Sequence, residues 1–345
     1  MKFIFFSFKY RHRKKDLNNF LKNRIFKDFL LLNLSGPIKH YVAKILIFLN
    51  IGKAISCDGQ PLLLNKNKGI NFWVRGTHLD IPESYRKKEN NYVTIFNPIL
   101  KKRNKVLQIY PIDIIKSKIN SLPKLVYLSK TLNKNHLTRK RDLLFDGKPH
   151  NYQEDYNKWC ILKKDLLNDF SLIDDLSFWN KNFAPNSEYK YLQIYINFKT
   201  FLRHEIILYI KSKFKERLLL VGDDWIEYYD DAIKSNYSLE NIKELYKGNI
   251  CLDLGSILGS ISLYSRSNQI IESGGLLIQS RQSDSNNIWG PLAKEFLFND
   301  LNSLCQLIEK LLHNNSICNQ LLDKEYYHFN NGKEKMNKIL SDIFK

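Results

Sequence analysis

Apolar residues recur at helical spacing early in the chain: after Asp16, Leu17, Leu21, Ile25, Phe29 and Leu32 stand three or four apart, with Lys22, Arg24 and Lys27 alongside. The pattern predicts a basic amphipathic helix ended by Ser35, Gly36 and Pro37, and a second apolar helix over 38–50. Such a helix either lies in a membrane interface or packs on its own domain. Between 60 and 130 the period shortens, and β-like runs alternate with turn signals: PLLL, INFWVRG, NYVTIFNP, KVLQIYPI and KLVYLS. That rhythm predicts an α/β domain of modest regularity. A basic polar segment (133–152), a helix-rich stretch (153–180) and a linker, NKNFAPNSEYK, follow.

Past the linker the alternation is more regular. YLQIYINFKTFLRHEIILYIKSKFKE (191–216) reads as a helix, RLLLVG (217–222) as a buried strand, and DDWIEYYDDAIKSN as a polar helix. NICLDLG (249–255) is a second strand, SRSNQIIESGG a short helix with a glycine stop, LLIQS (276–280) a third strand and KEFLFN (294–299) a fourth. DLNSLCQLIEKLLHN places Leu301, Leu304, Leu307, Ile308 and Leu311 on one side of a helix with Asp300 as its N-cap, and a last helix runs through 316–344. Strand and helix at this spacing predict parallel βαβ units in a doubly wound sheet. The predicted organisation is a basic helical segment (1–50), an N-terminal α/β domain (51–190) and a C-terminal domain (191–345).

Composition adds an asymmetry. The chain has 345 residues and a formal net charge of +19. Residues 1–216 carry 41 basic and 18 acidic side chains, a balance of +23, whereas 217–345 carry 13 and 17, a balance of −4. A cationic half suits an anionic membrane surface or nucleic acid, although abundant Lys and Asn alone accounts for part of the excess. No nucleic-acid-reading motif accompanies the charge, so nucleic acid is not the expected partner. The five cysteines (Cys57, Cys160, Cys251, Cys305, Cys318) form no C-x-x-C pair and read as reduced, mostly buried thiols of a cytoplasmic protein. The apolar run after Met1 is too short for a secretory leader, and 41–52 falls short of the ~20 residues that span a bilayer.

In an open parallel sheet, ligands sit outside the C-terminal ends of the strands, where helix starts present backbone N–H groups to anions. Gly222 in LVGDDW and the Gly255, Ser256, Gly259, Ser260 loop are the stretches at such ends. Neither a dinucleotide fingerprint nor a P-loop is present. Beyond the loop, Arg266, Gln269 and Glu272 follow at three-residue steps before Gly274 and Gly275. On periodicity alone these are either surface charges before a glycine C-cap or the wall of an anion site. RGTHLD (75–80) places His78 in a loop where it serves as a base or as an ordinary exposed histidine. TRKRD (138–142) reads as a solvated basic loop or a phosphate contact.

The order strand, Gly/Ser loop, Arg, helix, Gly-Gly, strand resembles the C-terminal nucleotide-sugar-binding domain of GT-B glycosyltransferases, closest to the spore-protein-like branch of the family-4 type. RLLLVGDDW and FNDLNSLCQLIEKLLHN are similar to that family's entry strand and terminal region, so the likeness covers about 195–345. It implies two Rossmann-like domains facing a cleft, with the N-terminal one irregular and carrying extra basic helices. It also implies retaining, metal-independent, cofactor-free transfer of a hexose. The donor is a nucleotide-diphosphate sugar, and the acceptor is a cell-surface glycan, a lipid-linked acceptor or a protein, as in polysaccharide or lipopolysaccharide synthesis. Against the family pattern, Arg266 falls on the family Arg, while Gln269 falls on the family Glu that holds the ribose; Glu272, one turn on, is a substitute. Gly222, Ser256, Gly274 and Gly275 become close-approach positions for the diphosphate, Arg203 and Lys211 stand nearest to the family's paired Arg and Lys, and His78 becomes the acceptor-side base. The basic half would sit on the inner face of the membrane as a peripheral surface. The glutamine keeps open the alternative of a non-catalytic GT-B-like protein that binds glycan or a partner.

Overall fold

The computed structural model describes residues 2–6, 30–34, 45, 53–57, 69–73, 91–93, 105–128, 152–183, 187–222, 225–226, 228–234 and 239–344. The chain divides into two compact units, residues 1–96, 101–112 and 332–345 in the first and residues 97–100 and 113–331 in the second.

The first unit contains a six-stranded sheet of β1 (Lys2–Phe6), β2 (Leu30–Leu34), β3 (Lys53–Cys57), β4 (Gly69–Trp73), β5 (Asn91–Val93) and β6 (Lys105–Val106). Its order is β2-β1-β3-β4-β5-β6 and every pairing is parallel. The expected basic helical segment (1–50) therefore supplies two strands of this sheet. Its apolar run LLLNL fits a helical stripe, but it equally fits a parallel strand, and pairing with β1 in register from Lys2 opposite Leu30 decides between them. The second apolar helix (38–50), PLLL and TRKRD lie outside the described residues, apart from Ile45, which is helical.

The second unit opens with β7 (Leu125–Leu128), followed by α1 (Tyr152–Asn168), a 3₁₀ turn (Phe170–Asp174), α2 (Leu176–Asn182) and α3 (Glu188–Phe214). Then come β8 (Leu218–Val221), α4 (Leu239–Tyr246), β9 (Ile250–Asp253), α5 (Ser265–Glu272) and β10 (Leu276–Ser280). The short helices α6 (Ser285–Trp289) and α7 (Ala293–Phe296), the strand β11 (Leu297–Phe298), α8 (Leu301–Leu312) and α9 (Asn315–Phe329) complete it. A final helix, α10 (Gly332–Phe344), belongs to the first unit.

The strand order is β11-β10-β9-β7-β8, again parallel throughout. This is a Rossmann-like doubly wound sheet. Its first strand, β7, has the second on one side and the third on the other, so the connections diverge at the C-terminal ends of β7 and β9. The central strands are buried on both faces: Val126, Leu252, Leu277 and Ile278 are at most 1% exposed. Each such side chain contributes about 1.5–3 kcal/mol of hydrophobic stabilisation. Outside the sheet, α1 packs on α3 through an aromatic cluster in which Trp159 and Phe198 meet edge to face at 5.6 Å. Asp300 caps α8, accepting from the Ser303 amide at 2.7 Å, as its position before LNSLCQ predicts.

Four further expectations are corrected. KLVYLS, read into the N-terminal domain, is β7, which lies between β9 and β8 in the second sheet, in the unit of residues 113–331. DDWIEYYDDAIKSN forms no α-helix among its described residues, only a 3₁₀ turn at Trp225. The chain turns back on β8 there, with the Ile233 amide on the Leu220 carbonyl (2.8 Å) and the Gly222 amide on the Ile233 carbonyl (3.0 Å). KEFLFN keeps only two strand residues, because Phe296 turns inward to stack on Trp289 at 4.8 Å. The predicted last helix is two helices that break at Asn330 and Asn331. A side chain at Gly332 would collide with the Pro111 carbonyl.

Candidate functional site

At the C-terminal end of β9 the chain turns through Asp253, Leu254, Gly255 and Ser256. Gly255 has φ +75°, a backbone conformation that favours glycine, and a Cβ there would also press on the Gln282 amide at 2.6 Å. Asp253 is fully buried. Its Oδ1 accepts from the Gly255 amide at 3.1 Å and from the Tyr264 hydroxyl at 2.6 Å, and its Oδ2 accepts from Gln279 Nε2 at 3.0 Å. That amide nitrogen also donates to the Ser262 carbonyl at 2.6 Å, so a strand residue, a turn and the loop before α5 share one network.

Two arginines reach this turn, one from α5 and one from α3. Arg266, in the first turn of α5, holds Nη1 3.7 Å from Asp253 Oδ1. Arg203, from α3, donates through Nη2 to the Gly255 carbonyl. Arg203 Nε and Arg266 Nη1 are buried without a hydrogen-bond acceptor. Burial opposes the Arg266 charge, but the phenol of Tyr264, the Asp253 carboxylate and the phenols of Tyr127 and Tyr246 outweigh it, and its pKa rises. Burial, above all, pushes the Tyr264 phenol well up, so it remains a donor.

Beside this turn lies a small, shallow cleft over the ends of β9 and β10, between α3 and the chain that leaves β10. Lys199, Arg203 and Arg281 line it together with Gln282 and Ser280. Lys199 stands one turn before Arg203 on α3, so both project from one face. Its side chain is only 6% exposed and lies 3.7 Å from Asp174, which already accepts from Tyr195 at 2.7 Å. Burial lowers the Lys199 pKa; Asp174 opposes that shift and the Arg203 charge adds to it. Arg281 is braced by Asn299 (2.9 Å) and Asn286 (2.7 Å).

The residues singled out in the sequence separate. Arg203 and Arg266 come together at Gly255; Ser256 is adjacent and its hydroxyl accepts from the Leu258 amide at 3.1 Å. Gly222 ends β8 on the same edge, with φ +151°. Gln269 lies in the middle of α5, half-buried. Lys211 is turned away from the cleft. Its ammonium donates to the carbonyls of Lys215 and Leu218 (3.2 Å each) and to Asp231, locking the end of α3 to β8. Lys199, not Lys211, lines the cleft with Arg203.

Gly274, Gly275 and Glu272 sit at the N-terminal end of β10, the opposite edge from the cleft. The Gly274 amide donates to Ile271 (3.1 Å) and the Gly275 amide to Ile270 (3.0 Å), which is a Schellman stop with Gly274 at φ +72°. A Cβ on Gly275 would lie 2.8 Å from Cys251 Sγ. These glycines end a helix and admit a strand on the edge away from the cleft. The carbonyl of Glu272 accepts from the Ile115 amide at 3.2 Å on that same edge. His78 lies outside the described residues.

Sequence reasoning passed over Lys199, Asp253, Tyr264 and Arg281. The signal for Lys199 was present: FKTFLRH puts two cations one turn apart inside an apolar helix, where charges are rarely buried without a purpose. Among the described residues no group of three or more His, Cys, Asp or Glu is placed to hold a metal ion. No protein-family model matches the chain, and no curated protein matches it.

Proposed function

We propose that this chain is a GT-B-type glycosyltransferase whose second unit binds a nucleotide-diphosphate sugar at the C-terminal edge of the parallel sheet. The carrying observation is the convergence of Arg203 and Arg266 on the Gly255 turn, each with a buried guanidinium N–H that lacks an acceptor. Buried donors without partners are costly, and an anion satisfies them with charge-assisted bonds. The edge is the one at which doubly wound sheets take their ligands.

In this reading the acceptor hydroxyl attacks the anomeric carbon of the donor. The new bond forms from the acceptor oxygen, the bond to the diphosphate oxygen breaks, and the acceptor proton passes to a base. The negative charge grows on the leaving diphosphate, and preorganised arginines beside it stabilise that charge without reorganising. Asp253 and Tyr264 hold Arg266 in place. The first unit, with the basic residues of 1–96, would supply the acceptor side and face an anionic inner membrane surface that carries a glycan or lipid-linked acceptor. Among the described residues no helix is long and apolar enough to cross a membrane.

A second reading, a non-catalytic GT-B-like protein that binds glycan or a partner, is favoured by the family resemblance. In the family resemblance Gln269 falls on the carboxylate that holds the ribose, and an amide binds a diol less strongly. The test is a thermal-shift panel of nucleotides and UDP- and GDP-sugars, followed by donor turnover. A ligand at 100 times its dissociation constant adds about 2.7 kcal/mol of stability. Binding with turnover supports the transferase, and binding without turnover supports the second reading. No binding to any member, with Arg266→Ala behaving as the wild type, overturns the transferase.

A further inference from the structure

We propose that the segment 113–124, laid along the N-terminal edge of the second unit's sheet, docks that unit on an anionic lipid surface. The inference concerns the edge opposite to Gly255 and stands apart from sugar transfer, since it needs neither donor nor acceptor.

The first argument is how firmly the segment is held. It runs across the N-terminal ends of the strands from β10 to β7. The Ile115 amide donates to the Glu272 carbonyl at 3.2 Å, and the Lys124 amide to Asn249 Oδ1 at 3.3 Å. Between them, Ile119 bonds the Asn319 side chain through both its amide (2.8 Å) and its carbonyl (3.2 Å). Asn315 Nδ2 donates to the Ser121 carbonyl at 3.0 Å and Arg217 Nη2 to the Pro123 carbonyl at 3.1 Å. Those two bonds flank Leu122, which is nevertheless 72% exposed, and Ile115 is 41% exposed in the same segment. An apolar side chain held outward on a tied backbone is preorganised for contact, because little ordering remains to oppose binding.

The second argument is charge. Lys118, Lys124 and Lys247 are exposed, and none of them makes an ion pair among the described residues. The Lys118 carbonyl lies against Gly248, where a Cβ would stand 3.2 Å from it, and this brings Lys247 to the segment. Lys116 differs, since its Nζ lies 3.2 Å from Asp323. The segment's own carboxylate is Asp113, at its start. Three unpaired cations thus stand beside two exposed apolar side chains.

The third argument separates the partner classes. Lysine is depleted in protein–protein interfaces, so lysines interleaved with single apolar side chains suit a packed protein surface poorly. A nucleic-acid backbone takes the lysines and leaves Leu122 and Ile115 in water. A lipid headgroup layer uses both, because its anionic groups attract the ammonium groups while the apolar side chains enter the acyl boundary.

The test is sedimentation of the full chain with vesicles of phosphatidylserine and phosphatidylcholine, and with phosphatidylcholine alone, at roughly 0.15 M salt. The wild type should partition onto the anionic vesicles and not onto the neutral ones. Lys118→Gln/Lys124→Gln should lower the partition coefficient by about thirtyfold and Leu122→Asn by about tenfold, with the thermal midpoint unchanged. Lys164→Gln/Lys294→Gln removes the same charge from exposed positions on α1 and α7 and should lower it by less than about threefold. Residues 1–216 carry a balance of +23, so equal losses in the two pairs would assign the binding to charge in general and overturn the proposal. A wild type that ignores anionic vesicles overturns it as well. So does Leu122→Asn with wild-type vesicle affinity, and duplex DNA bound through Lys118 and Lys124 would then identify nucleic acid as the partner.

Discussion

Tyr264 donates its phenolic hydrogen to Oδ1 of Asp253 over 2.6 Å, joining the N-cap of α5 to the last residue of β9. The same oxygen faces Arg266, so the tyrosine and the arginine are held by one buried carboxylate. Tyr264→Phe leaves that carboxylate one donor short in a site with no exposure. The expected loss is about 1–3 kcal/mol in urea unfolding. Donor affinity should fall with it, because Arg266 loses its brace. A variant as stable as the wild type would show that the pair does not organise the turn.

Gly274→Ala should destabilise without touching ligand binding. A Cβ there meets Ser117 at 2.7 Å, and the backbone is at φ +72°. Left-handed backbone costs a non-glycine residue roughly 1–2 kcal/mol before any clash. The midpoint of thermal unfolding should drop, while the donor affinity of the folded protein stays at the wild-type value. A loss of affinity at unchanged stability would return the glycines to the ligand.

Gln269→Glu tests the ribose position directly. A carboxylate bonded to a diol is about twice as strong as a neutral acceptor, so nucleotide affinity should rise by about tenfold. The change should appear for UDP and be absent for pyrophosphate, which has no ribose. Equal effects on both would place Gln269 beside the phosphates instead.

Glu325 gives the protein a pH dependence of defined sign. It is 2% exposed on α9, accepts from the Leu277 amide at 3.2 Å, and burial pushes its carboxyl well above the ordinary value of 4.5. Above pH 4.5 the unfolded chain gives up this proton and the folded chain keeps it, so stability from this group falls as pH rises toward the folded pKa. Urea midpoints between pH 4 and 8 should therefore fall less steeply in Glu325→Gln, which retains an acceptor for Leu277. Parallel curves for the two proteins would remove Glu325 as the cause.

Much of the second unit was legible in the sequence. RLLLVG, NICLDLG and LLIQS are short apolar runs bounded by turn signals, and each is a buried parallel strand. SRSNQIIESGG gave its helix and its stop, because a Schellman end needs a residue that tolerates positive φ and glycine is the one that does so freely. The misreadings share a cause. LLLNL, KEFLFN and the last helix carry local patterns that fit more than one element, and the choice was made by a partner far along the chain: β1 for the first, Trp289 for the second, the Pro111 backbone for the third.

The sequence by itself determined a doubly wound α/β unit, a helix opening on Arg266 and an excess of positive charge in residues 1–216. It could not determine which charges meet. Arg266 and Gly274 are near in sequence and lie at opposite edges of the sheet, because a helix carries the chain from one edge to the other. Lys199 and Arg281 are far apart in sequence and line one cleft, because the middle of α3 passes the C-terminal end of β10. Periodicity reports the face of one element; only the crossing of elements assembles a site.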